Sequence, residues 1–142
     1  MDLVVDASVV VKWFLTGEED TNQAFLVRDD FVAGDVVLHA PAELPYEVLN
    51  ALRYSALCPE ERCLQAQVVL EGYGLTYHPL EGGVARRAIH IAYGDDLSVY
   101  DASYLALARE LGIPLITADR QLARAASDVA RPLDEYESSA DR

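Results

Sequence analysis

The stretch MDLVVDASVVVKWF, residues 1–14, sets an apolar run, Leu3-Val4-Val5, directly against an acid, Asp6, and then opens a second apolar segment from Ser8 to Phe14. The first run is short and β-branched and reads as a buried strand; the second reads as a helix. This strand–acid–helix unit decides the fold, because its strand half recurs along the chain. Val36-Val37-Leu38, Leu75-Thr76-Tyr77, Leu115-Ile116-Thr117 and Val129 to Leu133 read as further strands. Helix-period segments separate them, over Glu19 to Phe31, Ala42 to Leu57, Pro59 to Glu71, Gly83 to Tyr93, Val99 to Leu111 and Arg120 to Ser127. Pro59 suits a first helical position and Gly112 a C-terminal cap, with Pro114 just beyond it. Strands alternating with helices predict an α/β domain with a mostly parallel sheet.

A chain of 142 residues with 51% hydrophobic and 25% charged positions fits one domain with an adequate core, assigned to residues 1–133. Residues 134–142 are polar and mostly acidic and are expected to be a mobile tail. No apolar run approaches the ~20 residues that span a bilayer, and the N-terminus has no leader pattern, so a cytoplasmic location is expected. Cys58 and Cys63 have no partner pair or histidines at zinc-site spacing and read as reduced thiols, with a local disulfide as the alternative. The formal charge of −13 disfavours non-specific attraction to nucleic acid. Any contact with nucleic acid must therefore be local, through bound cations and a few arginines, and a basic protein partner is the other meaning of such a surface.

Four acids stand where a parallel sheet presents ligands. Asp6 and Asp119 each follow a strand at its carboxyl end, where open α/β sheets bind. Each is also a natural helix N-cap. Glu47 borders the apolar stripe Leu44, Val48, Ala51, Ser55 of its helix, with Glu43 and Asn50 on the same flank. Asp101 follows Ser98 at capping-box spacing, yet Leu105 and Ala108 at four and seven positions on predict that it turns toward the buried side. Carboxylates gathered at one crevice repel one another and need a compensating cation, and all-oxygen ligation selects Mg²⁺ or Mn²⁺. Arg120 and Arg124, one turn apart beside Asp119, are candidates for contacting the phosphates of a nucleic acid. Other chemistries lack their residues. Gly82-Gly83 has neither the lysine nor the upstream glycine of a phosphate loop, and His39, His78 and His90 are too scattered for a triad or zinc site.

The motifs VVDASVVVKWFL, LPYEVLNAL and LSVYDASYLALARELGIPLITADRQLARAA, in this order and spacing, resemble the PIN-domain nucleases, and within them the VapC-type toxins of toxin–antitoxin pairs. The resemblance covers nearly the whole chain, although the middle and the tail match only in length and pattern. It implies a three-layer α/β/α domain with a five-stranded sheet in order 3-2-1-4-5. It also implies a catalytic and metal-binding quartet of Asp6, Glu47, Asp101 and Asp119 holding Mg²⁺ or Mn²⁺. Ser8 and Thr117 would hydrogen-bond beside the quartet, Asn50 would support Glu47, and Lys12, the only lysine, falls in the VVVKWF motif as a further RNA-contact candidate. The implied activity is metal-dependent hydrolysis of RNA, with an antitoxin partner and a homodimeric state. The competing reading is a non-catalytic module that keeps the fold and sequesters RNA or a protein.

Overall fold

A computed structural model describes residues 1–15, 17 and 19–141. Five parallel strands, β1 (Asp2–Val5), β2 (Val37–Pro41), β3 (Thr76–His78), β4 (Leu115–Thr117) and β5 (Ala130–Pro132), form one sheet in the order β3-β2-β1-β4-β5. The helices are α1 (Ala7–Val11), α2 (Thr21–Ala33), α3 (Leu44–Arg53), α4 (Glu60–Tyr73), α5 (Gly82–Asp95), α6 (Val99–Leu111) and α7 (Arg120–Ala125). This is the expected three-layer α/β/α architecture, with helices on both sides of the sheet. Strand β1 is central, and its Leu3, Val4 and Val5 are buried because both faces are covered.

The winding reverses between β1 and β4. Right-handed crossovers therefore send the helices of the β1–β2–β3 half to one face and those leading to β4 and β5 to the other. Helix α6 is buried all round from Ala102 to Ala108, which is why that segment carries almost no charge, and it packs on β1, β2 and β4. Its end is set by Gly112, at φ 67, a left-handed cap that a side chain would strain.

Several expectations shift by local chemistry. Pro59 is the N-cap of α4, with extended backbone at φ −65 and ψ 165, and not its first helical residue. The helix read over Ala42 to Leu57 is confined to Leu44–Arg53, because the chain turns at Tyr54 into the loop before Cys58. The expected mobile tail is anchored instead. Asp30 of α2, buried, accepts from Tyr136 Oη at 2.7 Å, Ser138 Oγ at 2.8 Å and the Ser139 N–H at 2.9 Å. A buried carboxylate needs donors, and three from the tail supply them. Arg142, the last residue of that segment, lies outside the described residues. Among the described residues, no helix is long and apolar enough to cross a membrane.

Candidate active site

At the winding reversal, β1 and β4 end side by side. The Asp6 N–H donates to Ile116 O at 3.0 Å, which places Asp6 one step past the sheet's carboxyl edge. Asp6 occupies the N-cap position of α1, but its side chain does not cap the helix. Its Oδ2 instead accepts from Ser8 Oγ and from Thr117 Oγ1, each at 2.7 Å. The two hydroxyls are themselves placed by backbone: Ser8 Oγ accepts from the Ala118 N–H and Thr117 Oγ1 from the Asp119 N–H, both at 3.0 Å. Asp6, Ser8, Thr117 and the Asp119 backbone thus form one network. Asp119 does cap α7, its Oδ1 accepting from the Leu122 N–H at 3.0 Å, so its capping role and its position at the strand end coexist.

Glu47 is half-buried on α3, not on a solvated helix face, and its Oε2 accepts from the Tyr104 hydroxyl at 3.1 Å. Burial pushes its carboxyl up to about 7; the Tyr104 bond opposes this, and the charges of Glu43, Asp6 and Asp101 add to it. Burial likewise raises Asp6 against the pull of Ser8 and Thr117, with the Asp101 charge adding to the rise. The charges of Asp6 and Asp101 thus both bear on Glu47, and that of Asp101 on Asp6.

Asp101 departs from its expected orientation. It is exposed in the first turn of α6, where its N–H donates to Ser98 Oγ at 3.0 Å. Burial in α6 begins at Ala102 and residues 98–101 are exposed, so the apolar stripe does not carry Asp101 inward. Asp101 and Asp119 line one cleft of about 550 Å³ with Asp95, Asp96, Leu105 and Leu122.

Glu43, Ser103 and Tyr104 enter the site without having been singled out as site residues. Ser103 Oγ bonds Glu43 Oε1 and lies 2.6 Å from the Tyr100 carbonyl. Burial raises the Glu43 carboxyl, the Ser103 bond opposes the rise and the Asp101 charge adds to it. Tyr104 is buried and its hydroxyl is pushed far up, by burial first and then by Glu47. A tyrosine inside an Ala- and Leu-rich helix was the available signal, since a buried phenol requires a partner.

The remaining candidates stand apart from this network. Asn50 is exposed one turn beyond Glu47. Lys12 Nζ donates to Glu19 O at 2.7 Å. Arg120 pairs with Glu19, Asp20 and Asp134 at 3.0, 3.2 and 3.3 Å. Arg124 is exposed on α7 and lines a cleft with Arg120 and with Arg131, which the sequence reading passed over. Two histidines taken as scattered meet across β2 and β3: His39 Nδ1 and His78 Nε2 are 2.9 Å apart, and His39 Nε2 reaches Asp2 Oδ2 at 2.9 Å.

The donors at this edge are oxygens only, which suits a hard divalent cation. Two of the acids, Asp6 and Glu47, are carboxylates whose ionised forms burial and mutual repulsion disfavour, and a cation would relieve both. Among the described residues, no three His, Cys, Asp or Glu side chains already surround a single ion position. The edge thus matches a cation in the chemistry of its donors and in its electrostatics, and not in a preformed coordination geometry.

The sequence profile of the PIN domain matches residues 3–128. Ribonuclease VapC3 of Pyrobaculum aerophilum is 33% identical over 127 residues, covering 87% of this chain and 93% of the relative. Ribonuclease VapC12 of Mycobacterium tuberculosis is 32% identical over 129 residues, covering 86% and 90%. The fold also matches a solved toxin–antitoxin complex from Klebsiella pneumoniae with a TM-score of 0.67 at 18% identity, covering 95% of this chain and 98% of that one. A profile match over most of the chain and relatives that align nearly end to end agree with the sheet order and the acids at its edge: this chain belongs to the PIN domain family.

Proposed function

We propose that this protein is a ribonuclease, the toxin of a toxin–antitoxin pair, that hydrolyses RNA phosphodiester bonds with Mg²⁺ or Mn²⁺. The observation that carries the reading is the hydrogen-bonded placement of Asp6 by Ser8 and Thr117 at the winding reversal, with Glu47 near enough to bear its charge, in a chain whose relatives over more than four-fifths of its length are named ribonucleases.

Asp6, Glu47, Asp101 and Asp119 would hold the cation. When bound, it supplies Lewis acidity that activates water and stabilises charge on the phosphate. The protein's own part is positioning. Ser8 and Thr117 fix the Asp6 carboxylate from one side, and Tyr104 fixes Glu47 from the other. Asp101 and Asp119 flank the cleft through which a phosphodiester would approach.

RNA contact in a chain of charge −13 must be local. The cleft bearing Arg120, Arg124 and Arg131 is the proposed phosphate-contact surface, with Lys12 a further candidate near Glu19. Three acids offset the charge of Arg120, so Arg124 and Arg131 carry more of the attraction. A basic antitoxin suits the acidic surface, and a homodimer is proposed with it. The likeness to a toxin–antitoxin complex supports the partner.

The test is cleavage of structured and unstructured RNA by purified protein with Mg²⁺ or Mn²⁺, against EDTA and Asp6→Asn. Cleavage abolished by both controls is expected. RNA binding with no metal-dependent cleavage, once any co-purified partner is removed, would sink the proposal in favour of a sequestering module.

A further inference from the structure

Cys58 and Cys63 straddle the start of α4. Pro59 is the N-cap, so Cys58 is the residue before the cap and Cys63 the fourth residue of the helix, its N–H donating to Pro59 O at 3.0 Å. These two positions are the ones whose side chains meet across a helix start, ordinarily as an apolar pair that fixes the entry angle of the chain. Here both are free thiols, close enough that Cys63 adds to the rise that burial gives the Cys58 thiol. The approach is held from both sides: the Cys58 N–H donates to Ser55 O at 3.3 Å, and Cys63 Sγ lies 4.0 Å from Leu49 O on α3. Both also line an open cleft of about 670 Å³ between α3 and α4, with Leu49, Arg53, Leu64 and Gln67, so a small solute reaches them.

We propose that Cys58 and Cys63 form a thiol–disulfide exchange site that a low-molecular-weight disulfide converts into an intramolecular bridge across the start of α4. Cys63, the less buried of the two, attacks as its thiolate. Its sulfur bonds one sulfur of the small disulfide, and the other leaves with the bonding pair and takes up the proton Cys63 lost. Cys58 then loses its proton and its sulfur attacks Cys63 Sγ, expelling the second small thiolate, which that proton neutralises. The two cysteines are oxidised by two electrons and one disulfide is reduced to two thiols. Burial raises the Cys58 thiol and nearby Arg62 opposes the rise, which suits Cys58 to the second, intramolecular step, where proximity compensates for a low thiolate fraction. This site is independent of the acidic edge and of the ribonuclease reading.

The full-length protein, reduced and then equilibrated with oxidised and reduced glutathione, tests the proposal by alkylation trapping, intact mass and non-reducing peptide mapping. Expected are loss of both alkylatable thiols, a mass lower by two hydrogens, and one peptide linking Cys58 to Cys63. The same chain in urea should need an oxidising ratio at least about tenfold higher for half-conversion, since only the folded helix start holds the thiols together. Cys58→Ser should stop at a glutathione adduct on Cys63. The proposal is overturned if the folded chain oxidises no more readily than the unfolded one, or if it yields only glutathione adducts or links between molecules. Both arms use the unsubstituted chain, so neither depends on how Cys58→Ser folds.

Discussion

Thr117 Oγ1 donates to Asp6 Oδ2 at 2.7 Å across 111 positions of sequence, joining the carboxyl ends of the two central strands through one fully buried hydroxyl. The same oxygen accepts from the Asp119 N–H, so a single side chain sets the relation between two of the four candidate acids.

Replacing Thr117 by Val keeps its volume and removes both bonds. The expected cost is about 1–2 kcal/mol, read as a lower urea midpoint, because a buried acceptor and a backbone N–H lose their partner. Thr117→Ser restores the hydroxyl and should recover most of the loss. A stable Thr117→Val beside a destabilised Thr117→Ser would show that the methyl group, not the hydroxyl, matters.

The acidic edge makes stability depend on pH in an unusual direction. Glu47 is raised from its ordinary 4.5 to about 7, so the folded state binds its proton more tightly than the unfolded state does. Its contribution is fully present below about 4.5 and is lost as pH rises through about 7. With solvent screening allowed for, the loss is on the order of 2 kcal/mol. In chelator, the melting temperature should therefore fall between pH 5 and 8, and Glu47→Gln should flatten that fall. Added Mn²⁺ should raise the melting temperature more at pH 8 than at pH 5. A metal response independent of pH would separate Glu47 from any cation site.

Asp30 runs the other way. Burial works against its charge, but the bonds from the Ser139 N–H, Tyr136 and Ser138 outweigh it and hold the carboxyl below its ordinary 3.8. Its contribution is present above 3.8 and is lost as pH falls further, outside the window in which Glu47 acts. Asp30→Ala, leaving two hydroxyls and an N–H without their shared acceptor, should cost about 2–4 kcal/mol. It should also open residues 134–141 to proteolysis; an unchanged digestion pattern would mean that Asp30 does not hold the tail.

Electrostatic contact with RNA should show in the salt dependence of binding. Each neutralised phosphate on a single strand contributes about 0.7 to the slope of log K against log salt. Arg124→Gln and Arg131→Gln should each reduce the slope by about that amount. Arg120→Gln should change it less, because Glu19, Asp20 and Asp134 already pair with that guanidinium. A slope unchanged by all three would move the RNA contact elsewhere.

The sequence by itself determined the alternation of strands and helices, because burial on both faces leaves a residue-level mark: Leu3-Val4-Val5 and Leu115-Ile116-Thr117 carry no charge, and Gly112 stands where a helix must stop. Family membership was legible for the same reason, through motifs tied to those strand ends. The resemblance also supplied the strand order that the structure has. Tertiary structure alone decided which way each acid faces. Helical period predicted Asp101 inward, but period says nothing of where along a helix burial begins, and in α6 it begins at Ala102. Capping preference matched Asp6 and Asp119 equally, and only the pairing of β1 with β4 brought Thr117 to the first, freeing it from its helix, while the second kept its cap. The tail was read as mobile from its charge, because a single buried acceptor on α2, remote in sequence, leaves no local signature in the residues it holds.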